Sequence, residues 1–517
     1  MKGSEPTGTR DAAAATTGAS VVSGGLWSIA GRLVPHLYTL LISVAAARYL
    51  GPEGLGRQSF IAFVELSIIL LFTAGLPMAV MRFIGETIGR GEPGAVRGLV
   101  AWAWLIEGVG AAAGGAMLVG AALLGADPEG AWLLAAVACA IGIVHNVPSA
   151  LLAGAQRWRA ASIVGLLTGA VSMVATIAVL AAGGGITGMF AVEAAVSVVN
   201  LAWTSVLARR ALLEIAPRAE PSAELRRRTA RYALYASMSV VITFIVWRRS
   251  ELFFLDRYST DTQIALYSIP FAAFFALAQI PSALGAVISP AVATLFGAGA
   301  SERIRSGYER ALRLVLLFSL PITAAALALG PAALRLVYGQ DFEGTGRVFL
   351  IMALWFPVFP LVTMGRSVLA GLGLVKLPLL FGAVAAAVDI TLAVLLTPDH
   401  GAVGAALANL AAQVTVGVPI LIYASRVVGS TGWRPLALWR VALVSAIAGG
   451  AAWLCVHLLE GAGGFALGAA SGAILLGVLT LGLRVIPADD ADWIGAVAGG
   501  RLGGMVGWAA RRSAYRR

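Results

Sequence analysis

Long apolar segments recur along the whole of this 517-residue chain, and they restrict its fold more than any other feature. Each is about 20 residues or longer, and a helix of that length crosses the roughly 30 Å hydrocarbon core of a bilayer. Backbone groups must be paired inside lipid, so such segments cross as helices. Charged residues make up only 12% of the chain, about half the fraction in soluble proteins. The sequence therefore predicts an all-α polytopic membrane protein.

Hydropathy predicts about 14 transmembrane helices. The windows lie near residues 21–47, 58–81, 98–124, 131–153, 160–182, 187–208, 231–255, 263–296, 309–329, 344–365, 377–397, 402–425, 439–459 and 463–483. An even number of spans places both termini on one side of the membrane. If that side is the cytoplasm, 29 of the 37 lysines and arginines fall in cytoplasmic loops and tails. This agrees with the positive-inside rule, so we expect both termini to be cytoplasmic.

Three arginines inside the apolar windows are not explained by topology: Arg32, Arg248 and Arg249. A charge at bilayer depth costs roughly 2.5–3.5 kcal/mol even on the mildest insertion scale. Such a residue usually faces a water-filled cavity, pairs with an acid or binds an anion. Arg32 and His36 lie on one polar stripe of the first span, which we expect to face polar surroundings.

Arginine binds phosphate through a planar, bidentate fork, and a low dielectric strengthens this pairing. We therefore expect the buried arginines to line one anion-binding cavity. The candidate substrate-binding residues are Arg32, Arg248, Arg249, His36, Arg48 and Arg257, the last two at the outer mouth. The alternative is structural ion pairing, for which Glu251 lies three residues after Arg248.

Two buried acids, Glu65 and Asp389, are candidates for coupling to Na⁺ or a proton. No arrangement of nucleophile, base and acid stands out, so we expect a transporter rather than an enzyme. Cys139 and Cys455 lie far apart in apolar windows, which favours packing over a zinc site. We expect no cofactor and no metal centre. The basic residues are scattered over short loops, so we expect no nucleic-acid partner.

An internal repeat is indicated by matched segments. Leu152-Ala153-Gly154 matches 369–371, and Gly185-Ile186-Thr187-Gly188 resembles 401–404. This predicts two six-helix lobes followed by two further helices, with a cavity between the lobes. The predicted organisation is a disordered cytoplasmic tail (1–20), an N-lobe (21–208), a basic cytoplasmic linker (209–230), a C-lobe (231–425), helices 13 and 14 (426–483) and a basic, amphipathic cytoplasmic tail (484–517).

The N-terminal region carries a family resemblance. Gly24-Gly25-Leu26-Trp27-Ser28, followed by the run from Ala47 to Gly56 (ARYLGPEGLG), resembles the polysaccharide-exporter branch of the multidrug/oligosaccharidyl-lipid/polysaccharide (MOP) flippase superfamily. The resemblance is clearest over residues 24–90. It implies alternating access and transport of an undecaprenyl-pyrophosphate-linked oligosaccharide, a polysaccharide repeat unit, across the bacterial inner membrane. Glycan polymerases and glycosyltransferases would be partners.

Two other functions stay open from the sequence. One is a cation-coupled multidrug antiporter of the same fold, which Glu65, Glu107 and Asp389 would serve. The other is a non-transporting membrane scaffold that recruits glycan-assembly enzymes through its basic loops. A scaffold would not require arginines at bilayer depth.

Overall fold

The computed structural model describes residues 8–73, 75–90, 94–215, 223–247, 250–297, 299–374, 376–430, 438–459, 461–488, 490–491 and 512–515. The α-helices in these ranges are α1 (Gly8–Thr73), α2 (Leu76–Gly89), α3 (Gly94–Leu123), α4 (Glu129–Gly154), α5 (Trp158–Ala181), α6 (Gly185–Ile215), α7 (Ala223–Trp247), α8 (Glu251–Tyr258), α9 (Asp261–Gly297), α10 (Ser301–Tyr338), α11 (Thr345–Ala353), α12 (Phe359–Gly371), α13 (Lys376–Val428), α14 (Leu438–Leu458) and α15 (Gly461–Gly482). The predicted all-α fold is confirmed.

Ten helical segments in the described ranges are long and apolar enough to cross a membrane. Two of them contain a break, because α1 is interrupted at Gly51 (φ 71°) and α13 at Gly401 (φ 53°). Positive φ at glycine carries little steric cost and lets the chain change direction there. Each of these helices therefore holds two predicted windows. The helix pairs α7–α8 and α11–α12 account for the remaining two, so the structure accommodates all 14.

The matched Leu-Ala-Gly segments end α4 and α12 with the same backbone geometry. The N–H of Arg157 donates to the carbonyl five residues earlier at 2.8 Å, and the N–H of Leu374 makes the same bond at 2.8 Å. The residue before each is left-handed, with φ 58° at Gln156 and 75° at Gly373. This is the Schellman arrangement, which satisfies the last helix carbonyls. The sequence repeat therefore corresponds to a repeated backbone structure.

The chain divides into two compact units, Met1–Thr243 and Phe244–Arg517. In the first unit, buried side chains of α2, α3 and α4 pack together around Ile84, Leu99 and Leu152. In the second unit, a cluster of buried side chains packs α12 against α10 and α13 through residues such as Val362 and Ile420. The predicted domain ranges themselves stay predictions.

The start of α7 lies against α2 within the first unit. The N–H of Gly75 donates to Ser237 Oγ at 3.0 Å. Glu86 on α2 pairs with Arg228 at 2.8 Å and with Arg90 at 2.7 Å. The hydrogen bond from Arg228 and the surrounding arginine charges hold the pKa of Glu86 below its ordinary value. Arg228 and Ser237 thus hold α7 against α2 and the residue that precedes it.

Part of the C-terminal tail docks on the start of α10. Strand β1 (Ile486–Pro487) pairs in parallel with β2 (Ala514–Tyr515). Asp490, 1% exposed, accepts hydrogen bonds from Arg310 at 3.1 Å and from Arg313 at 2.9 Å. The predicted amphipathic tail falls largely at residues 492–511, outside the described residues.

Candidate functional site

Two buried carboxyl groups meet in the second unit. Glu251, the first residue of α8, is 0% exposed, and Asp389 in α13 is 1% exposed. The two carboxyl groups lie within electrostatic range of each other, and one oxygen of each, Glu251 Oε2 and Asp389 Oδ1, has no hydrogen-bond partner in the described part of the chain. Asn409 Nδ2 donates to Glu251 Oε1 at 2.6 Å, and Ser250 Oγ donates to Asp389 Oδ2 at 2.9 Å. We call these four residues the carboxyl-pair site.

The break in α13 assembles this site. Asp389 lies before Gly401 and Asn409 lies after it, so the two are on successive spans of one merged helix. The chain reverses at the left-handed glycine, which brings both side chains beside α8. Gln263 holds the reversal, since its Oε1 accepts the N–H of Ala402 at 2.9 Å. A residue with a Cβ at position 401 would contact this glutamine closely.

The electrostatics of the site favour a bound cation. Two neighbouring carboxylates in a desolvated environment repel each other unless a proton or a metal cation lies between them. The available ligands are carboxyl, amide and hydroxyl oxygens, which suit hard cations. A cavity of about 20 Å³ adjoins Asn409 and Gln413, which is room for one water molecule. Among the described residues, no three His, Cys, Asp or Glu side chains cluster as a metal site.

The first unit contains a different set of acids. Glu65 on α1 is 5% exposed and lies within electrostatic range of Glu193 on α6 and Cys139 on α4. Glu107 on α3 is 1% exposed, and neither of its carboxyl oxygens has a hydrogen-bond partner in the described part of the chain. The structure thus places Glu65 beside a second carboxyl group, as it does Asp389. Whether either couples transport stays a prediction.

The repeat relates one member of each acidic set. Glu193 and Asn409 each lie eight residues after a glycine, Gly185 or Gly401. The two glycines have similar positive φ angles, 58° and 53°. Each polar side chain lies near a buried carboxyl group of its own unit. Each copy of the repeated helix hairpin therefore places a polar side chain near a buried acid. In the first unit this side chain is the carboxylate of Glu193, and in the second unit it is the amide of Asn409.

The structure describes the side chains of three predicted substrate-binding residues. His36 is half-buried on α1, one residue after Pro35. Arg48 is exposed and lies just before the break in α1. Arg257 is exposed in the last turn of α8, where a cation interacts favourably with the helix dipole. Arg48 and Arg257 both precede the end of a helical segment. Their shared role at a cavity mouth stays a prediction.

The three arginines predicted at bilayer depth have no described side chain. Arg32 belongs to α1, but its side chain is outside the described part of the structure. Arg248 and Arg249 fall in the gap between α7 and α8, outside the described residues. The anion-binding role of these residues therefore stays a prediction from the sequence.

Sequence reasoning missed two members of the carboxyl-pair site. It considered Arg248, three residues away, as the partner of Glu251, whereas the described partner is Asn409, 158 residues away. Asn409 and Ser250 were not among the predicted site residues. The repeat was the available signal, because Asn409 lies eight residues after Gly401, as Glu193 does after Gly185. The pairing itself depends on the fold.

Comparisons with known proteins agree with this architecture. A family described as "polysaccharide biosynthesis protein" matches residues 121–346. The lipid II flippase MurJ, in an inward closed conformation, superposes with a TM-score of 0.70 at 14% identity, covering 89% of this chain and 98% of that one. An inward-facing multidrug resistance MATE family transporter of the MOP superfamily gives 0.66 at 16% identity, covering 78% and 98%. A MOP superfamily transporter from Pyrococcus furiosus gives 0.56 at 15% identity, covering 79% and 95%.

No curated protein sequence matches the chain. At the identities of the solved structures, the likeness concerns the fold. The chain is a multi-pass membrane protein with the fold of the MOP flippase superfamily, as residues 24–90 predicted. Over residues 121–346 it also matches a family of polysaccharide biosynthesis.

Proposed function

We propose that this protein is a flippase for an undecaprenyl-pyrophosphate-linked oligosaccharide, the repeat unit of a cell-surface polysaccharide, in the bacterial inner membrane. The observation that carries the proposal is the match to a polysaccharide biosynthesis family within a chain of MOP fold. Glycan precursors that are made on a lipid carrier must cross the bilayer, and a protein of glycan assembly with this fold would move them across. The structural neighbour named a lipid II flippase supports the same class of cargo.

The arginines at bilayer depth would hold the pyrophosphate. Arg32, Arg248 and Arg249 are costly in lipid, and a diphosphate group would offset that cost by pairing with them. Their guanidinium groups do not deprotonate under physiological conditions, so the site keeps its charge at any working pH. His36, Arg48 and Arg257 would contribute along the path to the outer side. The headgroup then crosses inside the protein while the polyprenyl chain stays in lipid.

The carboxyl-pair site would bind the coupling cation. Glu251 follows Arg249 by two residues, so it is joined to the arginine segment by a very short stretch of chain. A proton or Na⁺ bound between Glu251 and Asp389 would hold α8 against α13, and its release would free α8 through carboxylate repulsion. Cation occupancy would in this way set the position of the anion-binding arginines. Glu65 stays a second candidate for coupling, in the first unit.

Substitution of the arginines by alanine tests, in cells, whether they bind the pyrophosphate. R32A/R249A should abolish surface polysaccharide and accumulate lipid-linked repeat units on the inner leaflet, at unchanged protein level in the membrane. The matched control R226A/R227A removes the same charge from exposed positions at the start of α7 and should export normally. Normal export by the R32A/R249A variant would overturn the cationic site.

A cation-coupled multidrug antiporter is the second candidate. The carboxyl-pair site supports it as well, because a coupling cation could drive the transport of either cargo. The two functions differ in drug resistance. An antiporter should raise resistance to cationic drugs in a sensitive host, and D389N should remove that resistance. A flippase should leave drug resistance unchanged while D389N lowers glycan export.

A further inference from the structure

A lateral groove runs along the first unit between α3 and α6. Helix α4 packs against both of these helices, while α3 and α6 make little contact with each other, so α4 forms the floor of the groove. The groove has a volume of about 350 Å³, within the range of small-molecule sites. Its apolar lining consists of Val100, Ala101, Trp104, Pro148, Leu151, Ala208 and Leu212.

One end of the groove is basic. Arg97 lies in the first turn of α3, and Arg209 is exposed on α6, and both line the groove. Trp104 is seven residues further along α3, or about 10 Å at the helical rise of 1.5 Å per residue. Ser205 lies one turn from Arg209 along α6, and its buried Oγ has no hydrogen-bond partner among the described residues. The groove is therefore charged at one end and apolar about 10 Å deeper.

The surface around the groove is suited to lipid. Next to Trp104 on α3, Leu105 is 66% exposed and Val109 is 64% exposed. Next to Ser205 on α6, Val206 is 50% exposed. Large exposed apolar side chains on membrane-spanning helices contact acyl chains. The groove therefore opens on an exposed apolar surface, and in a bilayer this surface would face lipid, with the arginines near the headgroups.

We propose that this groove binds an anionic phospholipid, with an acyl chain between α3 and α6 and the phosphate held by Arg97 and Arg209. Charge complementarity selects the occupant, because arginines bind phosphate by bidentate hydrogen bonds, and two arginines favour a headgroup with net negative charge. The predicted topology places both arginines on the cytoplasmic side, where the leaflet carries anionic lipid. Binding of this lipid does not depend on which cargo the protein transports.

Native mass spectrometry of the purified full-length protein tests the headgroup contact, with added phosphatidylglycerol or phosphatidylcholine. Near the surface each arginine contributes about 1 kcal/mol, so R97A/R209A should bind phosphatidylglycerol about 30-fold more weakly. The control R210A/R226A removes two exposed arginines of the same basic region and should bind as the unchanged protein does. Equal retention by all three proteins, or equal retention of phosphatidylcholine, would overturn the proposal.

A second variant tests the acyl-chain contact without a change of charge. S205L fills the deep part of the groove and should lower phosphatidylglycerol binding, whereas V206L, on the neighbouring lipid-facing position, should not. A phosphatidylglycerol with a diazirine on its acyl chain should label the peptide that contains Trp104. Labelling elsewhere only, or full displacement by soluble glycerol phosphate, would contradict an acyl-chain site.

Discussion

Asp389→Asn should weaken cation binding at the carboxyl-pair site without unfolding the protein. The substitution keeps the shape of the side chain and an oxygen that can accept from Ser250, but it removes one of the two charges. Two unit charges about 4 Å apart interact with about 4 kcal/mol at an effective dielectric of 20. Relief of the repulsion with Glu251 offsets part of this loss, and we take the net effect as about 2 kcal/mol. Cation affinity should then fall about 30-fold.

The assay is thermal unfolding of purified protein, followed against Na⁺ at fixed pH and against pH in a Na⁺-free choline buffer. A cation that binds only the folded state at 100 times its Kd stabilises by about 2.7 kcal/mol. The unchanged protein should be stabilised along one of the two axes, which identifies the cation. D389N should need about 30-fold more of the same cation for the same shift.

The matched control is D399N, which removes the same charge from an exposed position of the same helix, α13. It should respond to the cation as the unchanged protein does. A D389N variant with an unaltered cation response would contradict a cation site made by both carboxyl groups, since one of them would then be dispensable. A protein that responds to neither Na⁺ nor pH would refute it too.

Three further predictions concern stability and are measured by thermal unfolding. The pKa of Glu86 is lowered in the folded state, so Glu86 stabilises the fold at pH values above its ordinary pKa near 4.5. This stabilisation is lost as the pH falls through the lowered pKa. The unfolding temperatures of E86Q and the unchanged protein should therefore converge in acid. Gly75→Ala should destabilise by about 1–3 kcal/mol, because its Cβ would overlap backbone of α7, whereas Gly120→Ala on α3, in open space, should not. Gln156→Gly should stabilise by about 1 kcal/mol, and Gly373→Gln should cost a similar amount, because both positions are left-handed. A stability difference between E86Q and the unchanged protein that persists in acid, an equal effect of G75A and G120A, or an opposite sign for Q156G or G373Q would contradict these predictions.

The helices were predictable because their length is set by the bilayer and their composition by lipid. The position of Gly51 between two apolar windows marked one chain reversal correctly. The division of the window at 344–365 into α11 and α12 was not predictable. Hydropathy reports which segments are buried in lipid, and it is insensitive to whether the helix continues through the segment.

The candidate site was predictable in part. Asp389 was identified because an acid in an apolar window is costly and is retained for a reason. Its partners were not identified, since Asn409 and Ser250 reach the acids only after α13 reverses at Gly401. Reasoning along one helix favours neighbours three or four residues away, whereas the described contact to Glu251 spans 158 residues. Long-range pairing of this kind requires the fold.

The most direct test of the account is transport by the purified protein. Proteoliposomes would carry an undecaprenyl-pyrophosphate-linked oligosaccharide, and the fraction of glycan that becomes accessible to an external glycosidase would be followed over time. Hydrogen bonds to charged groups contribute about 1.5–3 kcal/mol each, so loss of two arginines in R32A/R249A should slow translocation at least about 100-fold. R226A/R227A should translocate at the unchanged rate. The account is contradicted if the unchanged protein leaves the glycan where it started, or if R32A/R249A moves it equally fast.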